Sequence, residues 1–148
     1  MNKLTPEQVA QRCFDILWPD DQASQGMGME FVEIGPGTAT LRMNVRPNMS
    51  NCHGTCHGGY IFALADTAFA YACNSLNQRA VAASAEIDYL APAHAGDTLI
   101  ARGTAVQQGE RRGIYDIAVT NQDQQLIAIF RGRSARIKGQ LFDDGDAP

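Results

Sequence analysis

Nowhere in these 148 residues is there a tract of lysine or arginine able to neutralise a run of phosphates, and 12 basic side chains stand against 16 acidic ones for a net charge of -4. Nucleic-acid binding therefore has no electrostatic footprint in this chain. The start, Met1-Asn2-Lys3-Leu4-Thr5-Pro6, lacks the charged-then-apolar layout of a secretory signal, which sets the expectation of a cytoplasmic protein. A bilayer-spanning run of about 18 apolar residues is also missing. The longest run, Tyr60 to Cys73, carries Asp66 near its middle and reads as a buried helix. Cys13, Cys52, Cys56 and Cys73, with no secretory signal, read as free thiols rather than a disulfide framework. Repeats and low-complexity segments are absent too, so residues 1–148 are read as one domain.

What is present divides into a short helix, two strands, one very apolar helix and four more strands. Thr5-Pro6-Glu7-Gln8 supplies an N-cap hydroxyl, a first-turn proline and a capping-box glutamine, which predicts a helix over 5–18. Alternating apolar residues predict strands at 28–34 and 38–45 joined by Gly35-Pro36-Gly37 as a hairpin. A central helix is predicted over 57–76, and strands over 81–90, 97–106, 113–120 and 126–137. Their short polar connections imply antiparallel neighbours. The acidic segment 139–148 is expected to fray. A helix apolar on nearly every side must be enclosed, so the expected class is α+β, a strongly curved antiparallel sheet wrapped around a long central helix, with an extra N-terminal helix.

A further absence sits inside the central stretch, because no Arg or Lys occurs from Ser50 to Asn77 and Asp66 therefore has no local counter-charge. A buried unpaired carboxylate is costly, and apolar surroundings raise its pKa toward the range of a useful base. The alternative reading is a carboxylate satisfied by a hydroxyl or a backbone group. His57-Gly58-Gly59 opens the helix, where the first N–H groups have no partner and the dipole is positive, so a carbonyl oxygen gaining charge is well placed there. The glycines also fit a plain tight turn. Cys52, His53, Cys56 and His57 are metal-ligand types, but three residues separate the cysteines and no second ligand pair exists, so neither metal nor cofactor is expected. Gly58 and Asp66 are separated by about 12 Å along one helix. That is long for two groups acting on one carbonyl, and a two-fold dimer with shared sites resolves it.

Asn51, Cys56-His57-Gly58-Gly59 and the run Ala63-Leu64-Ala65-Asp66-Thr67-Ala68-Phe69-Ala70-Tyr71-Ala72-Cys73-Asn74 resemble the hotdog-fold acyl-CoA thioesterases, in particular their phenylacetic-acid-degradation branch. The resemblance continues through Ile87-Asp88-Tyr89-Leu90, Ala95-Gly96-Asp97-Thr98-Leu99, Gly113-Ile114-Tyr115-Asp116-Ile117 and Phe130-Arg131-Gly132-Arg133-Ser134. It implies a hydrolase acting on an aryl-acetyl-CoA, with Asp66 as general base or nucleophile, Gly58 N–H on the thioester carbonyl, His57 beside it and Asn51 positioning substrate or water. Thr67 and Gly59 are the neighbouring candidates for substrate contact. Arg111 and Arg133, with Arg112, Arg131 and Lys138, are the candidates for the coenzyme A phosphates. Dimers with shared sites, usually paired into homotetramers, are implied as well. Two rival readings keep the fold or the ligand but change the chemistry: an enoyl-CoA hydratase or dehydratase, and a non-catalytic acyl-CoA binding module. Tyr60, Phe62, Phe69 and Tyr71 fit either an aromatic acyl pocket or plain core.

Overall fold

The computed structural model describes residues 2–145. Helix α1, Pro6–Leu17, begins where Thr5 Oγ1 accepts from Gln8 N–H at 3.2 Å and Gln8 Oε1 accepts from Thr5 N–H at 2.9 Å, a reciprocal cap on two orphan donors. Ala10, Cys13 and Phe14 form its buried face. A one-turn 3₁₀ helix, Trp18–Asp20, leads into helix α2, Gln22–Gly26, whose start is capped by Asp21 Oδ1 accepting from Ser24 N–H at 3.2 Å. Five residues long, α2 carries too little pattern to stand out in sequence.

Strands β1, Glu30–Gly35, and β2, Thr38–Asn44, form the expected hairpin, with Gly37 at φ +72°, a conformation L side chains rarely adopt. Helix α3 spans Gly58–Cys73, followed by β3, Ala80–Tyr89, β4, Thr98–Gln108, β5, Arg112–Thr120, and β6, Leu126–Arg136. All pairings are antiparallel, in the order β1-β2-β4-β5-β6-β3. Short connections do join neighbours from β4 to β6, but the link from β3 to β4 crosses most of the sheet. Its residues are held on the way by Cys56 N–H donating to Ala93 O at 2.7 Å and Gly96 N–H donating to Val45 O at 2.8 Å. A short connection looks the same in sequence whether it turns back or crosses over.

The expectation that the sheet wraps around the central helix is corrected by the structure. The sheet is open and not curled closed, with β1 and β3 as its two edges and α3 lying on one face. The reason is that the N-terminal layer covers the helix from the other side. Phe14 and Trp18 place their rings 5.0 and 6.0 Å from that of Tyr71. Enclosure of an apolar helix was a sound requirement, but a sheet is only one way to meet it.

Between α3 and the sheet lies the core, where Leu64 and Phe69 meet Leu41, Leu99, Ile117, Ile127 and Phe130, all buried. Each such side chain contributes about 1.5–3 kcal/mol by leaving water. Ala65, Ala68 and Ala72 are fully buried and allow close approach. The sheet reciprocates at Gly132, where a Cβ would stand 2.7 Å from the Phe69 ring.

Buried Asn77, at φ 59°, ties the C-terminal segment to the exit of α3. Its Oδ1 accepts from Leu141 and Phe142 N–H at 3.0 and 3.1 Å, and its Nδ2 donates to Phe142 O at 2.9 Å. The fraying expected over 139–148 falls partly on residues 146–148, outside the described residues. Among the described residues no helix is long and apolar enough to cross a membrane.

Candidate active site

The candidate residues fall into two groups, one at the entrance of α3 and one midway along it. The first surrounds its N-terminus. Residues 49–57 form a closed loop, in which Asn51 N–H donates to Thr55 O at 2.8 Å and His57 N–H donates to Met49 O at 2.8 Å. Asn51 spends its side chain inside this loop: Oδ1 accepts from His53 and Thr55 N–H at 2.9 and 3.2 Å, and Nδ2 donates to Thr55 Oγ1 at 3.1 Å. Its geometry is that of a loop organiser.

His57 is the N-cap of α3, and its Nδ1 accepts from Gly59 N–H at 2.9 Å. The neutral ring therefore carries its proton on Nε2, as a donor. Tyr60 N–H is used by His57 O at 3.0 Å. Gly59 and Tyr60 are thus occupied, and Gly58 N–H has no partner among the described residues. Above it lies Tyr89 from the end of β3, whose hydroxyl donates to Gly58 O at 3.0 Å. A Cβ at position 58 would stand 3.0 Å from the Tyr89 ring, so a side chain there requires the exposed Tyr89 to give by a few tenths of an ångström.

The second group lies mid-helix. Ala63, Asp66, Thr67 and Ala70 share one side of α3, as helical spacing requires, and floor a cleft of about 340 Å³. Its opposite wall comes from the α2 segment, including Ser24 and Met27. Asp66 makes no hydrogen bond or ion pair among the described residues, and burial pushes its carboxyl above the ordinary value of 3.8. Asp21, the other acid in the cleft, is fully engaged. It caps Ser24 and accepts from Tyr71 OH at 2.8 Å, and burial holds that phenol protonated as a donor. Thr67 Oγ1 donates to Ala63 O at 2.7 Å and lies 3.3 Å from Ser24 Oγ.

Within one chain these two groups stay apart. None of Asn51, His57, Gly58 and Gly59 lines the Asp66 cleft, and neither do Arg111 and Arg133. Arg133 pairs with Glu86 at 3.0 Å and Arg131 with Asp116 at 2.7 Å, on the sheet. Phe69 and Tyr71 are core, and Phe62 packs edge-on against Phe130 at 5.2 Å. Among the described residues no three His, Cys, Asp or Glu side chains converge as a metal site. Ser24 and Met27 give no sequence signal of their own, and the run Ile87-Asp88-Tyr89-Leu90 gives none for a place of Tyr89 beside Gly58. Tyr89 follows the strand pattern, and Ser24 and Met27 belong to the unpatterned segment around α2.

This arrangement, an unpartnered acid on an apolar helix whose glycine entrance leaves one amide open, suits hydrolysis of an activated carbonyl. Residues 53–128 match the thioesterase superfamily model. The acyl-coenzyme A thioesterase PaaI of Escherichia coli is 45% identical over 125 residues, covering 84% of this chain and 89% of that protein. The solved structure of E. coli PaaI from the phenylacetic acid degradation operon superposes with TM-score 0.90 at 42% identity, covering 92% of this chain and 99% of that one. A mutant of the phenylacetic acid degradation protein PaaI from Thermus thermophilus superposes with TM-score 0.76 at 36% identity, covering 79% of this chain and 100% of that one. The chain belongs to the thioesterase superfamily and is a thioester hydrolase of the hotdog fold. Within that class it is closely related to PaaI.

Proposed function

We propose that this protein hydrolyses aryl-acetyl-CoA thioesters, phenylacetyl or hydroxyphenylacetyl, to the free acid and coenzyme A. The observation that carries this is Asp66, an unpartnered half-buried carboxylate facing an apolar cleft. Its desolvation raises the proton affinity of the carboxylate, which strengthens it as a base toward water or as a nucleophile toward the carbonyl. The thioester oxygen is received by Gly58 N–H, the donor at the helix entrance that nothing else among the described residues occupies. His57, its Nε2–H left over by the cap to Gly59, donates beside it, and Asn51 acts by holding the loop that presents them. Thr67 and Gly59 support the substrate contacts of their neighbours. Arg111 takes a coenzyme A phosphate, a role supported by its being exposed and without an ion pair among the described residues; Arg133 does so after leaving Glu86.

The catalytic unit is a homodimer with two shared sites, paired into a homotetramer. The separation of Gly58 from Asp66, about 12 Å along α3, supports this, because one carbonyl has to meet a donor and a base at once. So does β3, an exposed edge strand whose free backbone groups are a template for a second copy. Four free cysteines support a reducing, cytoplasmic compartment.

Thiol release from phenylacetyl-CoA tests the activity, and Asp66→Ala is expected to lower kcat/KM by about 10²–10⁴, the range for loss of a positioned base. Retention of full activity sinks the assignment of Asp66. A single turnover in heavy-oxygen water separates the two chemistries: label in the enzyme carboxylate marks an anhydride, and label only in the product marks direct water attack. For the shared site, Asp66→Ala and Gly58→Pro chains are each made inactive, then mixed and reassembled. Proline at the first helical position removes the N–H while keeping the helix. Heterodimers carry one intact site each, so about a quarter of wild-type activity returns; none returns where each site lies within a single chain.

A further inference from the structure

The cleft facing Asp66 is closed by a part of the chain to which nothing so far assigns a role in the reaction. Its far wall is the short stretch from Asp21 to Met29, and this wall is fastened to α3 at two points. Asp21 accepts from Tyr71 OH at 2.8 Å, and Ser24 Oγ meets Thr67 Oγ1 at 3.3 Å. These contacts set the height of the wall over the helix. On the helix side Asp66 is flanked by Ala63 and Ala70, whose methyl groups leave the floor shallow. On the wall side the lining is Ala23, Met27 and Met29.

The polar atoms of the cleft are mostly spent. Asp21 is used at both oxygens, Thr67 bonds Ala63 O, and Ser24 bonds Thr67. What remains for an occupant is one carboxylate and a thioether surface. At about 340 Å³ the space lies near the lower end of small-molecule pockets, which suits an acyl group and not a whole coenzyme A. Thioethers on unbranched chains adapt to irregular apolar shapes and make favourable sulfur–aromatic contacts.

We propose that Met27 and Met29 form the acyl-binding wall of the active site and that Met27, half-buried where Met29 is buried, sets the size of the acyl group admitted. This rests on the reading of Asp66 as the catalytic carboxylate. The substrate carbonyl then lies at Asp66 with its apolar substituent running under the α2 segment, and the coenzyme A portion leads out of the cleft. Selectivity is set by a short stretch outside the hotdog sheet, so it can change without disturbing the sheet.

Two measurements test the wall, one of them independent of turnover. In protein labelled at the methionine methyl carbons, phenylacetate is expected to shift the Met27 and Met29 signals and leave those of Met43 and Met49, fully buried in the core, in place. No shift at either Met27 or Met29 overturns the proposal whatever the hydrolysis assay shows. In steady-state assays the ratio of kcat/KM for naphthylacetyl-CoA over phenylacetyl-CoA is expected to rise about tenfold in Met27→Ala and to fall in Met27→Phe, the scale on which small apolar volume changes discriminate substrates. A ratio unchanged in both variants also overturns it. If the wild-type protein releases thiol from no thioester, the hydrolase reading fails on that result, while the methyl shifts still decide whether the cleft holds an aryl-acetyl group.

Discussion

The two long faces of α3 are made of nearly the same residue types and do opposite work. Toward the sheet, Ala65, Ala68, Phe69 and Ala72 are sealed, with Gly132 and Gly103 giving up their side chains so that backbone and ring can meet. Toward the N-terminal layer, Ala63, Asp66 and Thr67 are left half-covered and Ala70 exposed along a cleft. Alanine on the first face brings two elements together. On the second it keeps them apart, because the facing segment is held off by the Tyr71–Asp21 and Ser24–Thr67 contacts rather than packed down. Close packing stabilises one side of the helix, and the other keeps an ionisable group that works against stability.

The widest break in this comparison is expected from Asp66→Asn, which removes the charge with little change of shape. Activity falls by about 10²–10⁴. Stability moves the other way, with a definite pH dependence. Burial raises the Asp66 pKa in the folded state above its ordinary value of 3.8. Below that value the side chain is protonated folded and unfolded, and the two proteins differ least. As pH rises toward the folded-state pKa, the unfolded chain ionises first, so the wild type loses stability that the Asn variant keeps. Thermal unfolding at stepwise pH is expected to show the gap open above pH 3.8 and level off beyond the folded-state pKa. A gap that is constant or narrows with pH refutes the account of an uncompensated carboxylate.

On the sealed face the corresponding change is Gly132→Ala. Its new methyl would stand 2.7 Å from the Phe69 ring, and Phe69 is boxed in by Tyr115 and Phe130 at 5.7 and 5.9 Å. Overpacking of this kind costs about 1–3 kcal/mol. Denaturant unfolding measures it, and kcat/KM per folded molecule is expected to stay within about twofold, because no interaction made in the transition state is lost. A large loss of activity with normal stability would mean that the sheet face communicates with the cleft, and the division between the faces would fail.

Much of this helix was legible in the sequence. Asp66 stood out because no cation occurs from Ser50 to Asn77, and the entrance at His57-Gly58-Gly59 because consecutive glycines precede an apolar run. Periodicity also located α1 and all six strands to within about two residues, the usual blur of element ends. What could not be read were relations between distant segments. The β3–β4 crossover, through Ala91-Pro92-Ala93-His94-Ala95-Gly96, is short enough to pass for a hairpin loop. The open sheet depends on a second covering layer, and α2, at five residues, is too short to show a period. Tyr89 illustrates the same limit: its place in an alternating strand is ordinary, and only the fold sets its hydroxyl 3.0 Å from Gly58 O.

The smallest expected effect tests the adjustable wall itself. Thr67 Oγ1 has one proton and gives it to Ala63 O at 2.7 Å, so in the 3.3 Å contact Ser24 is the donor. That is long for a bond between hydroxyls, which centre near about 2.7–2.8 Å. Ser24→Ala removes this bond alone and leaves the Asp21 cap and the Tyr71 anchor in place. A loss near the low end of about 0.5–1.5 kcal/mol follows for a weak, partly buried hydrogen bond. Because the wall touches the acyl group and not the reacting bond, the kinetic consequence is a raised KM at unchanged kcat, the pattern of binding lost equally in ground and transition states. Thr67→Val is the matched control, since it also frees Ala63 O and should destabilise more. If Ser24→Ala instead lowered kcat at constant KM, the contact would be serving Asp66 through its neighbour Thr67, and the cleft face would be as tightly specified as the sealed one.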